Sequence, residues 1–312
     1  MPIPTGAAAI SFSQLRTEMN TGSAGAYTGA FSLNDATFRS RLTDTAVNGA
    51  LSLSSLRGNA YQRFTIAADN SNSPYDIRAA LIAGGWNGTS KGSADVLVNS
   101  GVVVSSSSTG AYAMDTGGPW PGPSTIVVYN NGGYIIGMGG NGGVGGPDDS
   151  NSAGAGLAGG PALRAQSAMT LVNSGTIGGG GGGGGGGDGT TGVTILSPPF
   201  SPLPFNTGGG GGGGGRTGRT NSSSGGPGPA DGSNANPGGS GQAGTYTAAG
   251  NGGPGAGTAG AGGTGGNWGT AGNNGGGPNN PGPGGAAGVA VQGWSLVTAP
   301  APSGTISGPT AG

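Results

Sequence analysis

Between residues 96 and 178 the chain carries one pattern of apolar and polar positions three times. In each copy, apolar β-forming residues flank a short Asn-Ser-Gly or Asn-Asn-Gly step. Asn and Gly tolerate positive φ, so each copy predicts a strand, a turn and a second strand. Two arrangements fit this pattern: three ordinary hairpins in a sandwich, or stacked coils that lead into a glycine-rich part or intertwine in a trimer. The copies are Val96–Val104, Ile126–Gly137 and Leu171–Gly178.

Two further stretches upstream of these copies predict short strands. They are Tyr61–Ala67 and Tyr75–Ala83, and the second is followed by a Gly-Gly-Trp-Asn-Gly turn around Trp86. Gly and Asn in such clusters end regular elements. With the three copies, these strands predict that residues 59–177 form a β-rich shaft.

The first 58 residues repeat an apolar-polar-apolar triplet at a period of about 20, followed each time by a short helical turn. Ser13, Asn34 and Ser54 are suited to cap these turns at their N-termini. Each unit is too small to bury a core alone, so the units must stack on one another or on a partner. The repeat therefore predicts either a self-contained cap or a module that attaches to another protein. The apolar residues expected to make attachment contacts are Phe12, Leu15, Leu33, Phe38, Leu53 and Leu56.

Two uninterrupted glycine runs dominate the second half of the chain. They are Gly178–Gly187 and Gly208–Gly215, and most of the sequence after them is also rich in glycine. Ordered polyglycine must satisfy its backbone N–H and C=O groups, and a single polyproline-II-like helix has no internal hydrogen bonds. The runs therefore predict a bundle of laterally bonded polyglycine II helices over residues 178–312. The alternative is a disordered tail.

Composition narrows the function. The 312 residues include 81 Gly and 22 Pro but no Cys and no His, which removes disulfides, thiol chemistry and the commonest general base and metal ligand. We therefore expect no catalytic residues, no metal site, no cofactor and no enzymatic activity. A net charge of −1 without a basic cluster argues against nucleic-acid binding. Only four charged residues follow residue 165: Asp188, Arg216, Arg219 and Asp231.

The segment between the two glycine runs is the best candidate for a binding loop. Phe200 and Phe205 stand there on a proline-rich frame. Proline stiffens a loop and lowers the entropy lost on binding, and exposed aromatic residues are good anchors. Arg216 and Arg219 follow the second run and could bind acidic sugars or phosphates. The alternative is that the Phe side chains pack on the glycine helices and the arginines only solubilise. Weaker candidates are Tyr246 and Trp268, and Trp268 could equally cover the side of the bundle.

Three stretches carry a resemblance to a known group of proteins. The N-terminal "ISFSQLRTEM … FSLNDATFR … LSLSSLRG" resembles the N-terminal segments of tailed-bacteriophage tail-tip and tail-fibre proteins. "GGPALRAQSAMTLVNSGTIGGGGGGGGGG" resembles the entry into their glycine-rich region. The C-terminal stretch resembles their closing segment, which implies a short β pair of Trp294 and Val297 against Thr305 and Ile306.

The glycine-rich part also resembles the distal adhesins of T-even-type long tail fibres. That resemblance implies a sandwich of polyglycine II helices whose tip loops bind outer-membrane proteins or lipopolysaccharide.

Together these observations predict a mainly β and irregular fold in three parts. Residues 1–58 are the attachment module, 59–177 the β-rich shaft and 178–312 the polyglycine II tip. The expected function is that of a virion tail protein, made in the host cytoplasm, that recognises and adheres to a bacterial surface protein or polysaccharide. Expected partners are other tail proteins through 1–58, with a possible homotrimer and no nucleic acid. An architectural tail protein without receptor contact is the alternative; a non-viral ice-binding or surface-coat protein is a weaker one.

Overall fold

The computed structural model describes residues 60–71, 74–122, 124–147, 152–194, 203–229, 235–300 and 303–312. Most regular elements in these ranges are β-strands, as the sequence predicted. The exceptions are the α-helix α1 (Ile77–Ala83) and a 3-10 helix (Trp294–Leu296). The strands are β1 (Ala60–Ile66), β2 (Tyr75–Asp76), β3 (Gly92–Val98), β4 (Val103–Ser105), β5 (Met114–Asp115), β6 (Thr125–Asn130), β7 (Tyr134–Ile136), β8 (Leu163–Arg164), β9 (Met169–Asn173), β10 (Thr176–Gly178), β11 (Thr190–Thr194), β12 (Leu203–Thr207), β13 (Ala235–Asn236), β14 (Val291–Gln292), β15 (Val297–Thr298), β16 (Thr305–Ser307) and β17 (Thr310–Ala311).

Three parallel sheets enclose one apolar core. Sheet A has the order β1-β3-β6-β9-β15, sheet B the order β4-β7-β10-β16, and sheet C the order β2-β5-β8-β14-β17. The chain visits A, then B, then C, and pairs each strand with its counterpart from the previous pass. In the first pass the sheet B position is held by Asn70, which forms a bridge with Val104. The result is a parallel β-helix of five coils.

The motif repeated three times forms the corner between sheets A and B in successive coils. Its copies pair in parallel: Val98 lies beside Asn130 and Asn130 beside Asn173. After the corner, Tyr134 pairs with Val103 on one side and with Thr176 on the other. Parallel pairing between copies means that the motif forms stacked coils, and not the hairpins that were the other interpretation.

Every second residue of each strand faces inward and contributes to the core of the β-helix. Val96, Val128 and Leu171 stack in sheet A, and Ile135 and Ile177 stack in sheet B; all are buried. Each fully buried side chain of this size contributes about 1.5–3 kcal/mol. Stacking of like residues from coil to coil therefore fixes the register, because a slip by one residue would turn the apolar set outward.

The predicted strand Tyr61–Ala67 is present as β1, but the predicted strand Tyr75–Ala83 is wrong beyond Asp76. There the Asp76 carboxylate accepts a hydrogen bond of 2.8 Å from the Ala79 N–H and begins helix α1. Ile77 and Leu81, spaced one helical turn apart, face the core side and are buried. Leu81 packs with Trp86, which stacks on Trp120 at 5.2 Å.

The predicted C-terminal β pair is also wrong. Val297 belongs to β15, which pairs with β9 in sheet A. Thr305 and Ile306 belong to β16, which pairs with β10 in sheet B. Trp294 lies in the 3-10 helix. The two stretches are therefore successive sides of the fifth coil rather than partners of each other.

The glycine-rich sequence forms a separate body inserted into the β-helix twice. The chain leaves sheet B after β7 and again after β10, and each time it returns to sheet C, at β8 and at β14. Strands β14, β15 and β16, all after residue 290, thus pair with β8, β9 and β10, which end by residue 178. Between these exits and returns, extended segments run alternately away from and back towards the β-helix. The ten described segments are 137–146, 153–160, 178–188, 208–217, 223–229, 238–245, 250–255, 260–267, 270–276 and 282–289.

These segments are held together by lateral backbone hydrogen bonds at a spacing of three residues. Gly137, Gly140 and Gly143 donate to the carbonyls of Gly178, Gly181 and Gly184 at 2.8–2.9 Å. The 178–188 segment donates in turn to 154–160, 210–216 and 270–276, and accepts from 137–146, 260–269 and 282–288. It therefore has six neighbours. The 208–217 segment also has six, formed by 140–146, 181–187, 226, 236–245, 250–256 and 260–266.

Complete enclosure explains why the two long runs contain glycine alone. Gly179–Gly187 are buried. A Cβ on Gly183 would overlap the carbonyl of Asn141, and one on Gly184 would overlap the carbonyl of Gly263. Outer segments have an open side and place other residues there, as Ala261 and Asn267 do; both are exposed. The pattern of glycines thus records which segments lie inside the body.

Candidate functional site

The alternating segments give the glycine-rich body two ends with different contents. Its near end adjoins the β-helix, because the segments that begin at 137 and 178 continue directly from β7 and β10. At the far end five connections join outgoing to returning segments. We call these the distal loops; their described residues are 147, 152, 189–194, 203–207, 235–237, 256–259 and 277–281.

The predicted binding loop lies at this far end and is partly a sheet. Strands β11 and β12 pair antiparallel, and β12 pairs in parallel with β13 of the next distal loop. Phe205 lies on β12 opposite Gly192. Phe200 lies outside the described residues.

Hydroxyl groups connect this sheet to a third distal loop. The Thr190 hydroxyl lies 2.6 Å from that of Thr207 and 3.0 Å from that of Thr258. Thr190 and Thr207 face each other across the β11–β12 pair. Three distal loops therefore share one connected support.

Asp188 holds a fourth distal loop, a role that its position after the glycine run did not reveal. Its side chain is buried. The Oδ2 atom accepts hydrogen bonds from the N–H groups of Asn279 at 2.9 Å and Asn280 at 3.2 Å, whereas Oδ1 has no partner within the described part of the chain. Gly277, with a φ of 119°, packs directly on this side chain. The carboxylate thus fixes the turn at 277–281.

Four of the predicted binding residues lie together, but at the near end of the body. With Tyr134 they form what we call the junction cluster: Tyr134, Arg216, Arg219, Tyr246 and Trp268. The three aromatic rings contact one another at centroid distances of 5.4–5.9 Å. The Arg216 guanidinium lies 3.6 Å from the Trp268 centroid, and that of Arg219 lies 4.8 Å from the Tyr246 centroid. In such cation–π contacts the positive charge is attracted to the negative face of the ring.

Hydrogen bonds tie the junction cluster to both parts of the molecule. Arg216 Nε donates to the Tyr246 carbonyl at 2.8 Å. Arg219 forms an ion pair of 3.1 Å with Asp69 and donates to the Gly101 carbonyl, both in the β-helix. The Trp268 indole N–H donates to the Thr217 carbonyl at 3.1 Å. Burial lowers the pKa of the Arg216 guanidinium and raises that of the Tyr246 phenol. These contacts join segments of the glycine-rich body to one another and to the β-helix.

The candidate attachment residues Phe12, Leu15, Leu33, Phe38, Leu53 and Leu56 all lie outside the described residues. In the ranges that the structure does cover, no helix is long and apolar enough to cross a membrane. The same ranges contain no group of three or more His, Cys, Asp or Glu side chains arranged to hold a metal ion.

A solved structure has the same overall fold. The crystal structure of the gp37-gp38 adhesin tip complex of the bacteriophage S16 long tail fiber matches this chain with a TM-score of 0.51 at 21% sequence identity. The match covers 95% of this chain and 96% of that chain. A search of curated proteins gives no match.

Sequence comparison with protein families gives a match over most of the chain. The profile of the phage tail fibre adhesin Gp38 matches residues 62–311, which include the β-helix and the whole glycine-rich body. The resemblance to phage tail-fibre proteins is confirmed by this match: the chain belongs to the Gp38 family of phage tail fibre adhesins.

Proposed function

We propose that this tail-fibre adhesin recognises its host through the distal loops, with Phe200 and Phe205 as principal contacts. The observation that carries the proposal is the position of the 189–207 loop at the end of the glycine-rich body farthest from the β-helix. Here β11, β12 and β13 join two loops, and the Thr190–Thr258 contact adds a third. A preorganised loop surface loses less entropy on binding.

The body that carries these loops is, in this proposal, a bundle of polyglycine II helices. Support comes from the three-residue spacing of the lateral hydrogen bonds, which equals the three residues per turn of such a helix. The six neighbours of each long run are also what hexagonal packing of three-fold helices requires. Within the two runs no glycine has a positive φ, which agrees with the negative φ of that helix.

Residues 1–58 are proposed to attach the adhesin to another tail protein through Phe12, Leu15, Leu33, Phe38, Leu53 and Leu56. The similar structure is a complex of gp37 with gp38, which favours a fibre protein as the partner. The division into 1–58, 59–177 and 178–312 assigns attachment, shaft and tip in that order, although segments 137–146 and 153–160 lie in the glycine-rich body that carries the tip. Residues 291–311 pair with strands of the shaft, and we assign them to the shaft as well.

Adhesion by several fibres on one virion gains from multivalency. Each loop contact can be weak, because further contacts form at the high effective concentration set by the first. A protein or polysaccharide repeated over the bacterial surface suits this mechanism.

The junction cluster favours a second, architectural role for Arg216, Arg219, Tyr246 and Trp268. The Arg219–Asp69 ion pair joins the glycine-rich body to the β-helix, so these residues are proposed to hold the tip at a fixed angle. Direct receptor contact by them stays a prediction. Arg219 is half exposed and could meet both demands.

Two matched double variants separate these roles. Phages that carry Phe200→Ser with Phe205→Ser should incorporate the adhesin normally but adsorb to host cells at least tenfold more slowly. Phages that carry Arg216→Gln with Arg219→Gln should show reduced incorporation or thermal stability of the adhesin. Adsorption is measured as loss of free phage over time, and incorporation by quantifying the adhesin in purified virions. Normal adsorption of the Phe double variant would refute the loop assignment.

A further inference from the structure

Three outward-facing residues of sheet A are buried, although a bare sheet face would leave them exposed. Ala94 and Val96 of β3 point into the core, so strand alternation turns Ser93 and Asp95 outward. Tyr61 pairs in register with Ser93 and therefore lies on the same face. Yet Tyr61 and Ser93 are each 1% exposed, and Asp95 is 5% exposed. Another part of the protein must cover this patch of the face.

The cover extends over only part of the face. Thr65, near the end of β1, is exposed, and so is Thr298 on the last strand of the sheet. Val172 of β9 also points outward and is 38% exposed. The buried patch is therefore confined to the first halves of β1 and β3. This is the place where the chain enters the β-helix from residue 59.

The described elements next to β1 and β3 lie on other sides of the sheet. Gly92 occupies an inward position, two residues before Ala94, and a Cβ there would meet Leu81 and Trp86. Helix α1 and the turn after it therefore pack on the inner side of β3. The glycine-rich body is connected between sheets B and C, and its aromatic residues contact Tyr134 on the outer face of sheet B.

Residues 1–59 are the part of the chain that can reach the patch. The exposures above are those of a single chain, so the cover belongs to this chain. Residues 1–59 join the sheet directly at Ala60. Other segments outside the described residues contain only one or two residues, or stand between described residues of the distal loops.

The charges in and beside the patch fit this segment. Lys91, two residues before Ser93, is 6% exposed, and Asp95 is nearly as buried. Lysine and aspartate are almost never so buried unless they are paired. Residues 1–59 carry seven of the 21 charged residues of the chain, with both signs. They are Arg16, Glu18, Asp35, Arg39, Arg41, Asp44 and Arg57.

We propose that residues 1–59 fold back onto the outer face of sheet A and cover the first halves of β1 and β3. The segment proposed to attach the adhesin to the fibre is then fixed to the β-helix and is not a free tether. A load on the distal loops would pass to the fibre through this packed contact. The inference goes beyond the proposed attachment, because it holds whichever protein the segment binds.

Photo-crosslinking identifies the cover, because the chain has no cysteine and a single one can be introduced. Thr125 pairs in register with Ser93 at the margin of the patch and is half-buried. In full-length Thr125→Cys protein labelled with a benzophenone maleimide, at least half of the crosslinked peptides should come from residues 1–59. Gln292→Cys, at an exposed position of sheet C, is the control and should give at least tenfold fewer of these crosslinks.

A matched pair of substitutions tests the contact by a second measurement. Ser93→Glu places a charge in the patch without changing the core, and Thr298→Glu places the same charge on the open part of the face. Trypsin should cut the full-length Ser93→Glu protein after Arg57 at least tenfold faster than the wild type. Thr298→Glu should leave this rate unchanged. The mass of the fragment that begins at Gly58 identifies the cut.

Three results would overturn the proposal. Crosslinks from position 125 only to residues after 60 would assign the cover to another part of the chain. Crosslinks between two molecules, which weaken on dilution, would identify a second copy as the cover. Equal trypsin rates for Ser93→Glu and the wild type would show that the patch does not hold residues 1–59. Neither experiment contains a fibre protein, so its outcome is separate from attachment, which adhesin incorporation into virions measures.

Discussion

The Asp188 carboxylate ends a glycine run and stabilises a loop that begins almost ninety residues later in the chain. Replacing it with alanine removes the acceptor of the Asn279 and Asn280 N–H groups. Hydrogen bonds to a charged group contribute about 1.5–3 kcal/mol each, and the removal of a buried charge offsets part of this loss. We expect Asp188→Ala to destabilise the 277–281 loop by about 2 kcal/mol.

Hydrogen exchange measures this effect residue by residue. The amides of Gly277, Asn279 and Asn280 should exchange about 30-fold faster in Asp188→Ala, because about 2 kcal/mol corresponds to that ratio at 25 °C. Amides of the β-helix should not change. Ser240→Ala, an exposed substitution in another segment, is the control. Unchanged protection of 277–281 would mean that the loop is held by other contacts.

Tyr75 makes the stability of the β-helix depend on pH in the alkaline range. It lies on β2 against the core, and burial raises the pKa of its phenol above the ordinary value of 10.0. The folded state therefore keeps this proton at a pH where the unfolded chain has lost it. The stabilisation is complete below pH 10 and is lost as the pH rises through the raised pKa.

Tyr75→Phe removes this titration. We expect the variant to lose less stability than the wild type between pH 10 and higher values, and to behave like the wild type at pH 7–9. Urea unfolding at a series of pH values measures the difference. Parallel curves for the two proteins across the alkaline range would contradict the assignment.

Among the elements, the glycine segments follow one rule: the number of open sides sets the number of non-glycine residues. Gly183 has backbone on every side, and an alanine Cβ there would overlap the Asn141 carbonyl. Gly276 lies in an outer segment, and its Cβ would meet the Ala261 oxygen at an ordinary 3.4 Å. Neither glycine has a positive φ, so the two positions differ in packing space rather than in backbone strain.

We expect Gly183→Ala to destabilise the protein by about 3 kcal/mol or more, at or above the upper end of the range for overpacked interiors, because backbone atoms must move. Gly276→Ala should change stability by less than about 1 kcal/mol, and a small gain is expected from the reduced entropy of the unfolded chain. Denaturant unfolding of both variants gives the comparison. Equal effects of the two substitutions would contradict the six-neighbour position of Gly183.

The same rule explains which elements could be predicted from the sequence. Uninterrupted glycine over Gly178–Gly187 excludes a side chain on any face, so an ordered, enclosed segment could be predicted. The three Asn-Ser-Gly or Asn-Asn-Gly copies predicted a turn between two strands, but they left open whether the copies form hairpins or stacked coils. Helix α1 replaces most of the strand predicted for Tyr75–Ala83, although the Asp76 cap and the Ile77–Leu81 spacing are visible in the sequence.

The junction cluster could not have been located in this way. Tyr134, Arg216, Tyr246 and Trp268 come from four different segments, and their meeting depends on the lateral order of those segments, which no local pattern encodes. Arg216 also follows a run that returns to the β-helix. The sequence alone does not show the direction of that run, so it could not place Arg216 at the near end.

In the molecule as a whole, the two bodies are connected by four passages of the chain. The outgoing passages follow β7 and β10, and the returning ones precede β8 and β14. Sheet C cannot be completed until the glycine-rich body has brought residue 290 back, since β14 pairs with β8 and with β17. Arg219 adds a lateral link through Asp69. With this topology, the folding of each body depends on the folding of the other.

We therefore expect one unfolding transition for both bodies. A chain that ends at residue 290 loses β14–β17. Sheets A and B then lack their last strand and sheet C its last two, which exposes buried residues such as Leu163 and Ile177. Because the passages at 137 and 178 then start from an unstable β-helix, the glycine amides should lose their protection as well, although every glycine segment remains in the shortened chain. Hydrogen exchange of Gly178–Gly187 amides, followed beside amides of β6, measures both bodies in one experiment. Protected glycine amides beside an unfolded β6 would show that the glycine-rich body folds alone. In that case the double insertion would connect two independent units, and the β-helix would support the tip without stabilising it.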